Sequence, residues 1–314
     1  MVALAHRTPM TTASWLWIPI TLCAALAQTL RNAAQRHLTK SLGTLGATLV
    51  RFLYGLPFAL LWLSAVYVIG GYPLPAPNLT FAGWVVLGAL AQITATALLL
   101  RVMQERNFTL GVAYSKSELI QVAVFGFLFL GDRVGPFTAL AIGLGTLGVL
   151  LFSPADPQRP LRALLTGWTT RSALLGLGSG TGFALSAVGY RGAALALEGS
   201  SFLMAAAFTL VAAQLLQTLV LGGGLLLRKP EVVIGVLRAW RASLFAGFMG
   251  AAASIGWFTA MTIEPVAHVR TLALIELVFA LFISRRVFRE SLTRLELAGV
   301  GLLTCGLVIV TLQR

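Results

Sequence analysis

The sequence predicts an all-α integral membrane protein of ten transmembrane helices, arranged as two inverted five-helix repeats. Three observations predict this fold. Of 314 residues, 58% are hydrophobic and 11% charged, and the mean hydropathy is +0.88, values no soluble domain of this length sustains. The apolar residues fall into runs of about 20, the length a helix needs to cross about 30 Å of hydrocarbon. The second half of the chain also repeats the first.

Taken in order, the apolar runs and their breakers put spans near 14–31, 44–70, 80–101, 109–131 and 134–153. The opening "MVALAHRTPMTTASWLWIPITLCAALAQ" imitates a secretory signal, with one arginine, an apolar run and a small-residue "ALA" before Gln28. Because this segment has a counterpart in the second half, it reads as the first spanning helix. The stretch 154–171, "SPADPQRPLRALLTGWTTR" with its flanks, is the longest polar-leaning connection and divides a first unit (1–153) from a second (172–314). Five further spans follow, near 172–194, 201–227, 242–262, 267–284 and 294–312.

A shift of 158 residues lays Met103 on Met261, Asp132 on Glu290, Gly143 on Gly301, and "SEL" at 117–119 on "IEL" at 275–277, so Glu118 falls on Glu276. At a shift of 160, "RNAA" from Arg31 meets "RGAA" from Arg191. This is the signature of a duplicated unit. An odd number of spans per unit forces the second copy to enter the membrane from the opposite side. The expected result is an inverted repeat with a site near the midplane, between the halves.

Each half ends in an apolar helix, an acid at its mouth ("FLFLGDR", "RRVFRES") and a glycine-spaced final helix ("ALAIGLGTLGVLLF", "ELAGVGLLTCGLVIV"), and the second span carries an arginine in "LVRFLYGLPFALL". In these features the chain resembles the drug/metabolite transporter superfamily, specifically its EamA type, over nearly its whole length. Where members of that family often carry proline, this chain has Glu118 and Glu276. The resemblance implies a multi-pass protein of a bacterial inner membrane, monomeric or homodimeric, that moves a small molecule by alternating access.

The net charge of +13 reads as loop topology rather than nucleic-acid binding. Of the 20 basic residues outside the membrane interior, 16, Arg31 among them, follow spans 1, 3, 5, 7 and 9. By the positive-inside rule that side is cytoplasmic and both termini are outside, whereas the resemblance implies termini inside. Cys23 and Cys305 lie in apolar segments without metal-ligand spacing, so neither a disulfide framework nor a metal site is expected. "GLGSGTG" at 176–182 lacks the strand and nucleotide-binding unit that would make it a phosphate loop. Its small residues suit close helix approach.

Glu118 and Glu276 each sit about 13 Å into a span, near the midplane, where an ionisable group is expensive and a functional candidate by default. On one continuous helix Tyr114, Ser115, Glu118 and Gln121 form a polar stripe, while Lys116 points nearly away from Glu118. The glutamates are therefore expected to flank the cavity and bind a proton or cationic group, or else to be locked in ion pairs with Lys116, Arg270 or Arg51. Gln28, Gln92, Tyr190 and Trp257 are candidate cavity-lining residues, and His268 reads as a wetted helix end. Asp132 and Glu290, at helix junctions, suit a gate or cap.

No nucleophile stands beside a base and no cofactor motif is present, so an enzyme is not expected. The resemblance to EamA-type transporters implies proton-coupled export of a small polar metabolite or drug. The alternatives are an uptake permease for an anionic metabolite, with Lys116, Arg51 and Arg270 as the binding charges of the cavity, and, from another class, a non-transporting membrane scaffold or membrane-embedded enzyme.

Overall fold

Hydrocarbon offers no water to satisfy backbone N–H and C=O groups, so a chain this apolar must satisfy them within each segment, as helix. The computed structural model describes residues 15–105, 112, 115–132, 134–151 and 171–286, with 298, 301–302, 305–306 and 308–309 near the C-terminus. Tyr114, Glu290, nearly all of the connection 154–171 and most of the last expected span lie outside the described residues.

The helices are α1 (Trp17–Leu53), α2 (Leu56–Val68), α3 (Leu79–Glu105), α4 (Glu118–Phe125), α5 (Pro136–Leu151) and α6 (Arg171–Leu195). After these come α7 (Phe202–Gln217), α8 (Gly223–Arg228), α9 (Pro230–Arg238), α10 (Trp240–Ile263), α11 (Val266–Leu272) and α12 (Ile275–Arg286). With its 24 residues, α10 is about 36 Å long, enough to cross a bilayer. Single π-turns join α4 to Leu130 and α7 to α8.

The distribution of side chains is that of a protein solvated by lipid. Leu61, Val68, Ile69, Phe127, Leu128, Phe129, Leu219 and Phe282 are exposed, while Arg31, Gln35, Thr48, Arg51, Glu118, Gln217 and Glu276 are buried. Polar groups face inward because outside they would meet hydrocarbon.

Two expected boundaries need correction. The first span does not end at 31. Its helix runs on to Gly43, where a positive φ of 67° turns the chain directly into the second span. Only glycine adopts that conformation without strain. The run Arg31, Asn32, Gln35 resembles a helix end because it is polar, but all three side chains are buried in the bundle. Arg31 therefore leaves the set of cytoplasmic basic residues, without reversing their bias. The second span in turn breaks at Tyr54–Gly55, between α1 and α2. Pro57 sits in the first turn of α2, and its missing N–H and bulky ring cannot continue a helix from Leu53.

The fourth and ninth spans, expected as continuous helices, are broken as well. A turn at Lys116–Ser117 precedes α4, and one at Ala273–Leu274 separates α11 from α12. At both, the backbone bonds tighten to three-residue spacing: Leu119 N–H donates to Lys116 O (3.1 Å) and Leu277 N–H to Leu274 O (2.9 Å). The shift of 158 lays one break on the other. Each puts a glutamate in the first turn of the helix that follows, where a negative charge meets the positive end of the helix dipole.

The two halves meet chiefly along α3 with α6 and α1 with α10, pairs that the repeat exchanges. In the first pair Gly189 lies against the backbone of Gly88, 3.1 Å from where its Cβ would be. This contact brings the two helices close enough to pack backbone on backbone. Between the seventh and eighth spans, in an expected loop, α9 lays Val236 into the bundle beside α1 and leaves Ile234 and Leu237 exposed.

Candidate functional site

Six charged side chains are buried among the described residues: Arg31, Arg51, Lys116, Glu118, Arg270 and Glu276. Five of the six sit at or near helix interruptions, where the backbone departs from regular spacing and side chains from several helices converge. Four of them, Lys116, Glu118, Arg270 and Glu276, form part of a closed ring. Lys116 Nζ lies 2.8 Å from Glu276 Oε2, and Gln28 Nε2 donates to Glu276 Oε1 at 2.7 Å. Trp257 Nε1 donates to Gln28 Oε1 at 2.9 Å, and the Arg270 guanidinium lies 5.0 Å from the centroid of the Trp257 ring. Arg270 Nη1 and Lys116 Nζ are each 3.6 Å from Glu118 Oε1, which closes the circuit.

The ring ties both halves together through the fourth, ninth, first and eighth spans. It also corrects the expectation that Lys116 points away from Glu118. That expectation assumed a continuous helix, and the turn at Lys116–Ser117 removes the regular spacing of about 100° per residue that would have separated them. Both glutamates are ion-paired. Their pairs are not equal, because Glu276 is bonded through both oxygens while Glu118 Oε2 has no hydrogen-bond partner among the described residues.

The same break separates Ser115 from Glu118 and Gln121, which share α4. Ser115 Oγ donates to Val112 O at 2.7 Å, a local bond to its own backbone. Gln121 is half-buried, with Nε2 3.5 Å from Ser117 O. Tyr114 lies outside the described residues. Neither Ser115 nor Gln121 lines the cavity described below.

The turn at Lys116–Ser117 has room because α6 offers a glycine there. A Cβ at Gly180 would collide with Ser117 Oγ and fall 3.0 Å from Glu118 N. The run "GLGSGTG" thus accommodates a broken helix as well as a close one. Gly180→Ala is expected to displace the turn and lower the melting temperature of the purified protein by several degrees, through overpacking of about 1–3 kcal/mol. A thermal unfolding scan in detergent checks this, and an unchanged midpoint would count against a tightly held turn.

Beside the ring is a second polar group. Tyr190 Oη donates to Gln92 Oε1 (3.1 Å), and Gln217 Nε2 donates to Gln92 Oε1 (2.8 Å) and to Tyr190 Oη (2.9 Å). The Tyr190 ring stacks on Phe258 at 4.5 Å between centroids. Between ring and triad lies a narrow cavity lined by Gln28, Arg51, Gln92, Tyr190, Trp257 and Arg270, with Phe183, Ser254, Phe258 and Met261. In this conformation it has space for about one water molecule. All four expected uncharged lining residues meet there, with two of the three expected cations.

Arg51 donates through Nη1 to Thr96 Oγ1 at 3.0 Å and reaches no carboxylate of the described residues within bonding distance. Arg31 donates through Nη2 to Asn32 Oδ1 (2.7 Å), and its Nε and Nη1 have no partner among the described residues. Four buried cations therefore face two buried carboxylates among the described residues. Arg31 and Gln217 are the residues that sequence reasoning missed. Both had a signal: Arg31 its match to Arg191 under the repeat, and Gln217 its polarity inside the apolar run 201–227, the same that marks Gln28 and Gln92.

Near the junctions of the fourth and fifth and of the eighth and ninth spans, a separate cluster fastens the helices. Arg191 Nη2 donates to Asp132 Oδ1 at 3.3 Å, and Nη1 donates to the carbonyls of Met261 and Glu264. The His268 ring pairs with Glu264 through Nδ1 and lies 3.0 Å from Thr138 Oγ1 through Nε2. Asp132 thus joins the end of the span that holds Glu118 to the helix that holds Tyr190. Glu290, its repeat mate, lies outside the described residues.

Broken helices meeting at a buried charged cavity between two repeated halves are the arrangement of a carrier. A model of the EamA-like transporter family matches residues 15–153 and again 170–312. The chain belongs to the EamA-like transporter family. Its two matches divide the EamA-like chain at the polar connection, one on each repeat, and make it a multi-pass membrane transporter handling a small molecule in a lipid environment. A solved crystal structure, 16% identical, aligns with a TM-score of 0.64 over 95% of this chain and 96% of its own, a likeness that speaks for the fold alone. No protein of curated function matches the sequence. Ion-paired glutamates and a nearly closed interior are what a scaffold would also show, and it is membership of an EamA-like transporter family that decides for transport.

Proposed function

We propose that the protein is a secondary transporter that carries a small organic anion through the cavity between its repeats by alternating access. The observation that supports this reading is the surplus of buried positive charge. Lys116 and Arg270 are matched by Glu276 and Glu118, which leaves Arg31 and Arg51 without a carboxylate among the described residues. Burying an unpaired ion costs several kcal/mol, so two such cations, Arg51 lining the cavity and Arg31 packed beside Arg51, are retained at the expense of stability. An anionic substrate would compensate them. The narrowness of the cavity fits a state in which the halves have closed, and substrate entry then requires them to part.

In proteoliposomes, a panel of radiolabelled carboxylates is expected to show saturable flux, with the corresponding neutral amides excluded. Flux of cations or neutral compounds with none of carboxylates would overturn the reading. A second reading, proton-coupled export, is favoured by one observation, the buried Glu118 Oε2 that no described group binds. If Glu118 carries the coupling proton, Glu118→Gln abolishes flux driven by a pH gradient while exchange at equal pH persists. Equal loss of both removes that role.

A further inference from the structure

The surplus charge is not in one place. Arg51 and Arg270 line the cavity, whereas Arg31 stands behind Gly250 on α10. A Cβ at Gly250 would lie 3.3 Å from Arg31 Cδ and 3.5 Å from Arg51 Cγ, so the two arginine stems share the space that the glycine leaves. Both side chains are buried, and neither has a carboxylate partner among the described residues. Two of the three guanidinium nitrogens of Arg31 have no partner among the described residues, although a buried guanidinium ordinarily finds partners for them. The acids of the ring are already engaged: Glu276 by Lys116 and Gln28, Glu118 by Arg270 and Lys116.

From this division we infer that the transported anion carries two negative charges, one set of its charged oxygens held by Arg51 and Arg270 in the cavity and another by the free nitrogens of Arg31 beside Arg51. This rests on the anion-carrier reading above and narrows it to a class, a compact doubly charged oxyanion. A dicarboxylate, with its charges on two carboxylates, and a phosphate monoester, with both on one phosphate, share that chemistry, since either offers pairs of charged oxygens that a guanidinium fork matches with two parallel bonds. Lys116 is no substitute for this second subsite, because it is already bonded to Glu276. The repeat explains why only one half is built this way. Arg31's mate, Arg191, has its carboxylate in Asp132 and uses another nitrogen on two backbone carbonyls.

The test compares ligands that differ by one charge, on the full-length protein in nanodiscs. Succinate, its half-amide succinamate, and glycerol 3-phosphate are measured for equilibrium binding to the unaltered protein and to Arg31→Gln and Arg31→Lys. The expected result is that succinate or glycerol 3-phosphate binds about tenfold or more tightly than succinamate. Arg31→Gln then removes that advantage and leaves succinamate within about twofold, and Arg31→Lys, which keeps the charge but not the fork, falls between. Preference for succinate points to a dicarboxylate and preference for glycerol 3-phosphate to a phosphate monoester, and both support the inference.

If succinamate binds as well as succinate, or Arg31→Gln weakens both alike, the second subsite is wrong while an anion carrier stands. If none of the three binds and the carboxylate panel shows no flux, the anion reading itself falls, and this inference with it. Gly250→Ala supplies an independent check. Its methyl crowds the Arg31 stem and fills the space beside the Arg51 stem, and it is expected to weaken the dianion more than the half-amide. An equal effect on the two ligands would count against the shared space as a binding element.

Discussion

Lys116→Met is expected to destabilise the protein by about 3–5 kcal/mol, the loss that follows removal of one partner from a buried ion pair. The reason lies in the ring. Lys116 touches Glu276 at 2.8 Å and Glu118 at 3.6 Å, and it is the cation common to both glutamates. Without it Glu276 retains Gln28 alone among the described side chains that bond it, and a neutral amide does not balance a buried carboxylate. The measurement is the melting temperature and the folded yield in detergent.

The double variant Lys116→Met/Glu276→Gln separates charge from shape, because it removes cation and carboxylate together. It is expected to regain most of the lost stability, since replacing both members of a buried pair is far less harmful than orphaning one. If the single and double variants melt alike, the ring is not an energetic unit.

Arg51→Gln should have opposite effects on stability and transport. Arg51 is buried beside Arg31 and balanced by a hydroxyl, Thr96 Oγ1. Glutamine can keep a bond to that hydroxyl while removing a repulsive charge, so the melting temperature is expected to stay level or rise. Anion flux is expected to fall by about tenfold to a hundredfold, the loss of one charge-assisted contact to the substrate. A residue that weakens the fold yet serves transport is the usual trade at a functional site. If Arg51→Gln lowers stability and leaves flux intact, Arg51 is a structural residue and only Arg31 remains as surplus charge.

The charged interior is partly legible in the sequence. Glu118 and Glu276 stand out by depth and by their match under the repeat, and Gln28, Gln92, Tyr190 and Trp257 by being polar or aromatic inside apolar runs. What cannot be read is pairing. On a regular helix Lys116 and Glu118, two residues apart, diverge, and the turn at Lys116–Ser117 invalidates that geometry. The turn itself leaves no proline to announce it, whereas Pro57 does mark the break in the second span. Arg31 reads as a helix end because spans are delimited by apolarity, and that rule fails where a helix turns a polar face into a bundle.

Composition and hydropathy by themselves determined that this chain lives in a bilayer, because no other solvent tolerates so much apolar surface. The repeat at shifts of 158 and 160 residues likewise divided it into two related halves. Tertiary structure alone decided which buried charges cancel and which do not. Cancellation depends on separations of about 3–4 Å between helices that lie far apart in sequence. Lys116 finds Glu276 160 residues away, while Arg31 and Arg51 converge beside Gly250 with no described acid bonded to either. A sequence records charges in order, and their energy is set by neighbours that only folding brings together.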